Sequence, residues 1–145
     1  MAKKHYTAVV FDLDGTLLNT LTDLHASVNI ALAHYGMPPR TMDEVRTFLG
    51  NGYLYLISHC VPDGTPEEKT REVLEYFEKY YYSHSMDTTR PYDGIPEIVD
   101  ALAKDGYKLA IVSNKGMAAV KELAAHFFNG AIEVAIGESA DVRRK

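Results

Sequence analysis

The stretch that most constrains this chain is AVVFDLDGT, residues 8–16. Ala8 to Phe11 and Leu13 make a nearly continuous apolar run, which suits a strand buried on both faces, as in a parallel sheet. Asp12 and Asp14 are set into the end of that run, and Gly15 breaks it. Two carboxylates in such a place must be hydrated, paired or metal-bound, because an isolated charge in an apolar setting costs too much. The run therefore predicts a parallel sheet with a polar site beyond the C-terminal end of its first strand, where open α/β sheets bind ligands.

Beyond the glycine the period changes. Leu21, Leu24, Val28, Ala31, Leu32 and Tyr35 recur at helical spacing, and Gly36-Met37-Pro38-Pro39 ends the run. Thr41 and Glu44 form a capping box for a second helix, which Gly50-Asn51-Gly52 stops. YLYLISHC (53–60) predicts a third. Thr65 as N-cap, Pro66 at the first position and Glu67-Glu68 in the first turn open a fourth, with Val73, Phe77, Tyr80, Tyr81 and His84 on one side. Residues 20–85 thus read as helical throughout.

After Pro91 strands and helices alternate. A helix from Pro96 to Lys104 ends near Gly106, KLAIVSN (108–114) is a second buried strand, 116–128 a helix, and AIEVAIG (131–137) a third strand. The predicted fold is α/β: a Rossmann-like parallel sheet, residues 1–19 and 86–145, with an α-helical cap, residues 20–85, inserted after the first strand. If the first two strands are neighbours, Asp12 and Ser113 open into one crevice.

At 145 residues, 46% of them apolar and 24% charged, the chain has room for one globular domain with an insertion. A net charge of −5 disfavours a nucleic-acid partner. No window approaches the roughly 18 apolar residues of a membrane span. Cys60 is the only cysteine, so no internal disulfide forms, and a reducing compartment, the cytoplasm, is expected.

A hard cation with oxygen ligands, Mg²⁺ above all, would relieve the repulsion between Asp12 and Asp14. It would also suit phosphoryl chemistry, with one Asp as nucleophile and the other as general acid and base. Gly15 permits the tight turn that aims backbone N–H groups at phosphoryl oxygens, and Ser113 is placed to hydrogen-bond one of them. The histidines, His59 beside Cys60 included, show no metal-ligand spacing.

These residues resemble the haloacid-dehalogenase-like phosphatases. Asp12-Leu13-Asp14-Gly15-Thr16-Leu17 matches the first motif of that family, DxDGT, and Ile111-Val112-Ser113-Asn114-Lys115 the second. LLNT after the first motif and PYDGIPEIVDALAKDGYKLAIVSNK through the second are similar to the family's bacterial phosphoglycolate phosphatase branch. The resemblance implies Asp12 as nucleophile and Mg²⁺ ligand. It implies Asp14 as acid, base and second metal contact, and Gly15, Thr16, Ser113 and Asn114 around the phosphoryl group. Lys145, after Arg143-Arg144, falls where the family carries its third-motif lysine and is the candidate catalytic cation. Lys115 is an alternative phosphate cation, but as part of SNK it is expected to start the next helix. Asn51 is the candidate substrate contact from the cap, although Gly50-Asn51-Gly52 reads equally as a plain helix stop.

The family pattern continues past Lys145 to a fourth motif whose acids complete the metal site, and Glu138 and Asp141, which precede the lysine, do not match it. The core is therefore expected to be incomplete, with an open sheet edge and uncovered apolar faces.

The expected activity is Mg²⁺-dependent hydrolysis of a small phosphorylated metabolite, of the phosphoglycolate type, through an aspartyl-phosphate. Two alternatives remain: a sugar-phosphate mutase of the same fold, and a truncated, catalytically silent relative that binds phosphate. A dehalogenase is disfavoured by Asp14 and Thr16, and a phospho-receiver domain by the helical insertion. Oligomeric state is left open.

Overall fold

The computed structural model describes residues 5–142. In chain order the elements are β1 (Ala8–Phe11), β2 (Leu18–Asn19), α1 (Leu21–His34), α2 (Met42–Phe48), α3 (Tyr53–Cys60), α4 (Glu67–His84), β3 (Arg90–Pro91), α5 (Ile95–Lys104), β4 (Lys108–Gly116), α6 (Met117–Phe127) and β5 (Val134–Glu138). β4 lies between β1 and β5 and pairs in parallel with both. The first two predicted strands are therefore neighbours, with Phe11 opposite Ile111.

Pairing and pleat assign the sheet's two faces. Val9, Phe11, Leu109, Ile111 and Ala135 share one, because cross-strand partners point the same way and side chains alternate along a strand. That face packs on Val99 of α5 and on Val120, Leu123 and Ala124 of α6, together with Leu13, Leu17 and Leu18. The other face carries Val10, Ala110, Val112, Val134 and Ile136. It stays largely open, with Val10 63% and Val134 46% exposed.

The helical segment has its own apolar centre. Leu24, Val28, Ala31 and Leu32 of α1 meet Val73, Phe77 and Tyr81 of α4, and Val45, Leu56, Ile57 and Cys60 fill the remainder. The i, i+4 spacing of Val73, Phe77 and Tyr81 puts all three on one face of α4, and each is buried. The capping box forms as read: Glu44 N–H donates to Thr41 Oγ1 (3.2 Å), and Thr41 N–H to Glu44 Oε2 (2.7 Å).

Three local expectations are corrected. α4 begins at Glu67 with Pro66, not Thr65, at its N-cap, and the Thr65 hydroxyl donates instead to the Pro62 carbonyl. Lys115 does not start a helix. β4 runs on through Gly116, and α6 begins at Met117. Finally, a short antiparallel ribbon of β2 and β3, which no apolar pattern announces, holds the two ends of the helical segment side by side.

Asp23 reinforces that neck. Its carboxylate, 4% exposed, accepts hydrogen bonds from the backbone N–H and the hydroxyl of both Thr88 and Thr89 at 2.6–3.0 Å. Burial alone would raise its pKa, but these donors outweigh it and hold the carboxyl below the usual aspartate value.

Candidate active site

The chain leaves β1 at Phe11 and turns sharply. The Leu13 carbonyl accepts from the N–H groups of Thr16, Leu17 and Leu18 at 3.0–3.2 Å, and Gly15 N–H returns to the Leu18 carbonyl at 2.9 Å. Gly15 adopts φ +76°, a left-handed conformation that an L side chain rarely takes. This turn brings Asp12 and Asp14 to the same opening at the C-terminal end of the sheet, where Ser113 and Asn114 arrive from β4.

The opening is a cavity of about 400 Å³ between sheet and helical segment. Asp12, Asp14, Gly15, Ser113, Asn114 and Lys115 form its floor, and Arg46, Leu49, Gly50, Gly52, Tyr53 and Leu56 its roof. Ser113 is 7% exposed; its oxygen accepts from Lys115 N–H (3.1 Å), which leaves the hydroxyl proton available to a ligand. Asn114 Nδ2 donates to the Gly50 carbonyl across the cavity, at 2.8 Å. Thr16 sits exposed on the turn, and Asn51 is exposed between the two roof glycines. Neither is among the lining residues. Lys145 lies outside the described residues.

The cation found beside the carboxylates is Lys115. Its Nζ is 2.8 Å from Asp14 Oδ1, and its side chain is 1% exposed. The same oxygen accepts from the Thr20 hydroxyl at 2.6 Å. Thr20 is the N-cap residue of α1, yet its side chain makes no capping bond; it serves Asp14 instead. The Lys115 ammonium lies 4.6 Å from the Tyr81 ring centroid and 5.8 Å from that of Tyr53, within cation–π range. Burial alone would lower the lysine pKa; the Asp14 charge and hydrogen bond together with the two tyrosines outweigh it, so Lys115 titrates well above its ordinary value and stays charged. Burial also raises both tyrosines, Tyr53 strongly, against the pull of the Lys115 charge. Among the described residues the Tyr53 hydroxyl has no hydrogen-bond partner.

Sequence reasoning underrated Lys115. In a strand, residues two apart share a face, so extending β4 by two residues past the predicted end puts Lys115 beside Ser113. Thr20, Arg46 and Tyr53 had no comparable signal. Tyr81 had one, its place in the α4 periodicity, but that speaks only for packing.

The donor set suits a hard cation in limited number. Among the described residues no group of three or more His, Cys, Asp or Glu gathers for a metal. The Asp12 carboxylate and the Asp14 backbone carbonyl are thus the oxygens that could hold it, and Mg²⁺ characteristically takes one or two protein carboxylates, completing its shell with water and phosphate oxygens. Cys60 offers no competing nucleophile, since burial pushes its thiol up to about 11.

A parallel sheet with an acid pair at its first strand end, a serine at its second and a helical roof defines a class. The chain belongs to the haloacid dehalogenase-like hydrolase family, whose model matches residues 9–145. Within that family it is similar to the phosphoglycolate phosphatase of Haemophilus influenzae, 35% identical over 129 residues, and to phosphoglycolate phosphatase 1 of Pseudomonas aeruginosa, 37% identical over 113 residues. These alignments cover 84% and 74% of this chain, but only 58% and 41% of the relatives. The chain therefore spans about half the length of the curated relatives it matches. Among solved structures, a predicted phosphoglycolate phosphatase from Haemophilus somnus superposes with a TM-score of 0.89 at 27% identity, over 99% of this chain and 68% of the other. A Lactobacillus delbrueckii protein, provisionally called a phosphoglycolate phosphatase, gives 0.88 at 31% identity, over 97% and 68%.

Proposed function

We propose that this chain carries the nucleophile and phosphate-binding half of a phosphomonoester hydrolase for a small phosphorylated metabolite, of the phosphoglycolate type its relatives are named for. Residues 1–19 and 86–145 serve as the catalytic core and residues 20–85 as its cap. One observation carries the reading: adjacent parallel strands bring Asp12, Asp14 and Ser113 to one crevice under a helical roof.

In the proposed reaction an Asp12 carboxylate oxygen attacks phosphorus, and the bond from phosphorus to the ester oxygen breaks as Asp14 delivers a proton to it. Water then attacks the aspartyl-phosphate while Asp14 takes a proton back, releasing phosphate and restoring Asp12. Ser113 hydrogen-bonds a phosphoryl oxygen, and the roof excludes bulk water from the acyl-phosphate. Mg²⁺, held by Asp12 and Asp14, would neutralise charge on the phosphoryl oxygens. Gly50 and Gly52 present the roof loop to the organic end of the substrate. The lone, buried Cys60 suits a reducing compartment, so the proposal places the protein in the cytoplasm.

The test is phosphate release from phosphoglycolate and from an aryl phosphate, with and without Mg²⁺, by the unaltered chain and by Asp12→Asn. Mg²⁺-dependent release that disappears in Asp12→Asn, with an unchanged circular dichroism spectrum, supports the reading. Release that survives the substitution removes Asp12 as nucleophile. A folded chain that releases nothing is a phosphate-binding piece rather than an enzyme by itself.

A further inference from the structure

We propose that Lys115 is a positioning residue that ties the seating of the helical cap to Asp14: the faces of Tyr81 and Tyr53 keep its ammonium on that carboxylate only while the cap is down. The inference rests on the reading of Asp14 as acid and base, and it adds a residue that acts through Asp14 rather than on the substrate.

The parts come from opposite sides of the cavity. Lys115 and Asp14 belong to the sheet side, Tyr53 to α3 and Tyr81 to α4. An ammonium has three donors and no acceptor. One reaches Asp14 Oδ1, and the two ring faces receive the charge where water is excluded. A cap lifted by a few ångströms would take both faces away and let water in. The pair with Asp14 would then weaken from a buried contact to a screened one. Asp14 would keep only Thr20, which enters α1 at the neck and does not depend on α3 or α4.

The seat is close-packed on the same three residues of β4. Asn114 Nδ2 holds the Gly50 carbonyl, Lys115 meets the two rings, and Gly116 lies under Tyr53. A Cβ on Gly116 would stand 3.3 Å from Tyr53 Cε2, so this glycine admits the ring. Its φ of −54° suits any residue, which makes Gly116→Val a wedge against the cap with no backbone strain of its own.

The experiment is competitive acetylation of the whole chain, read residue by residue by mass spectrometry, with the exposed Lys104 and Lys121 as internal references. Lys115 is expected to label far more slowly than either reference. Tyr81→Leu should speed its labelling roughly 30-fold, the weight of one desolvated cation–π contact, whereas Tyr81→Phe, which keeps the ring, should not. Gly116→Val and Asp14→Asn should each raise it too, from the cap side and the sheet side. A thermal melt of every variant separates these effects from unfolding.

Where turnover is measurable, Lys115→Met should lower kcat with little change in KM, because Lys115 orients Asp14 and does not bind substrate. Lys115 labelling as fast as the references in the unaltered protein would overturn the proposal. So would unchanged protection in folded Tyr81→Leu and Gly116→Val, or a Lys115→Met variant that loses KM alone. No phosphate release from a chain whose Lys115 shows the expected labelling pattern would count against the phosphatase reading and leave the coupling standing.

Discussion

Replacing Asp23 by alanine should cost more stability than any single loss on the sheet's open face. The carboxylate gathers both backbone N–H groups and both hydroxyls of Thr88 and Thr89. Thr88 is exposed, so its donors find water once Asp23 is gone. Thr89 is fully buried, and its two donors would be stranded. A hydrogen bond to a charged group contributes about 1.5–3 kcal/mol, and a stranded buried donor costs about 1–3 kcal/mol, so a net loss of roughly 3–4 kcal/mol is expected. In a chain of this size that lowers Tm by about 10 °C.

The pH dependence has a definite sign. Asp23 has a folded pKa below its ordinary 3.8, so its stabilisation is fully present above that value and is lost as pH falls through the lower, folded one. Asp23→Asn removes this titration, so the gap between it and the unaltered protein should be widest near neutrality and close in acid. Calorimetric melts of Asp23→Ala and Asp23→Asn at several pH values measure both effects. A Tm change under about 3 °C for Asp23→Ala, or a gap that widens in acid, would refute the idea that this carboxylate pins the neck.

Glu78 should behave in the opposite sense. Desolvation, then the Glu138 and Glu75 charges, raise its pKa, so its ionised form opposes folding as pH rises past the ordinary value of 4.5. Glu78→Gln is expected to raise Tm at pH 8 and to leave it unchanged in acid, as parallel melts would show. Gly137→Ala should fail for a steric reason: the new Cβ would lie 2.5 Å from the Lys115 carbonyl oxygen and 2.7 Å from Met117 Cα, both backbone. A loss of about 2 kcal/mol or more in urea unfolding is expected, because neither backbone segment can give way cheaply.

What the sequence made legible were the features with a strong local period or a fixed turn chemistry. The run ending at Asp12 and Asp14 was legible as a strand, and its pairing with the strand through Ser113 brought both motifs to one crevice. Its expected burial on both faces is not met, since β1 is an edge strand with Ala8 and Val10 exposed. The capping box at Thr41 and Glu44 was equally plain, because both partners lie within one turn. Contacts made across the cavity were not legible. That Lys115 would meet Asp14, 101 residues away, depended on β4 running two residues further than its apolar pattern. The β2–β3 ribbon was invisible because two-residue strands carry no period. Thr20 carried no signal of its own, and its hydroxyl serves Asp14 rather than capping α1.

The neck formed by Leu18–Asn19 and Arg90–Pro91 has a consequence for how such a molecule can vary. Everything from residue 20 to residue 89 leaves and re-enters the sheet domain through one pair of adjacent strands. The ends of the insertion are held together whatever its length, and closure entropy grows only with the logarithm of that length. The helical segment can therefore be exchanged as a cassette without re-threading the sheet, and a new roof would bring new selectivity over the same acid pair. A donor cassette would have to meet one demand of the floor beneath it: something must still cover the charge of Lys115.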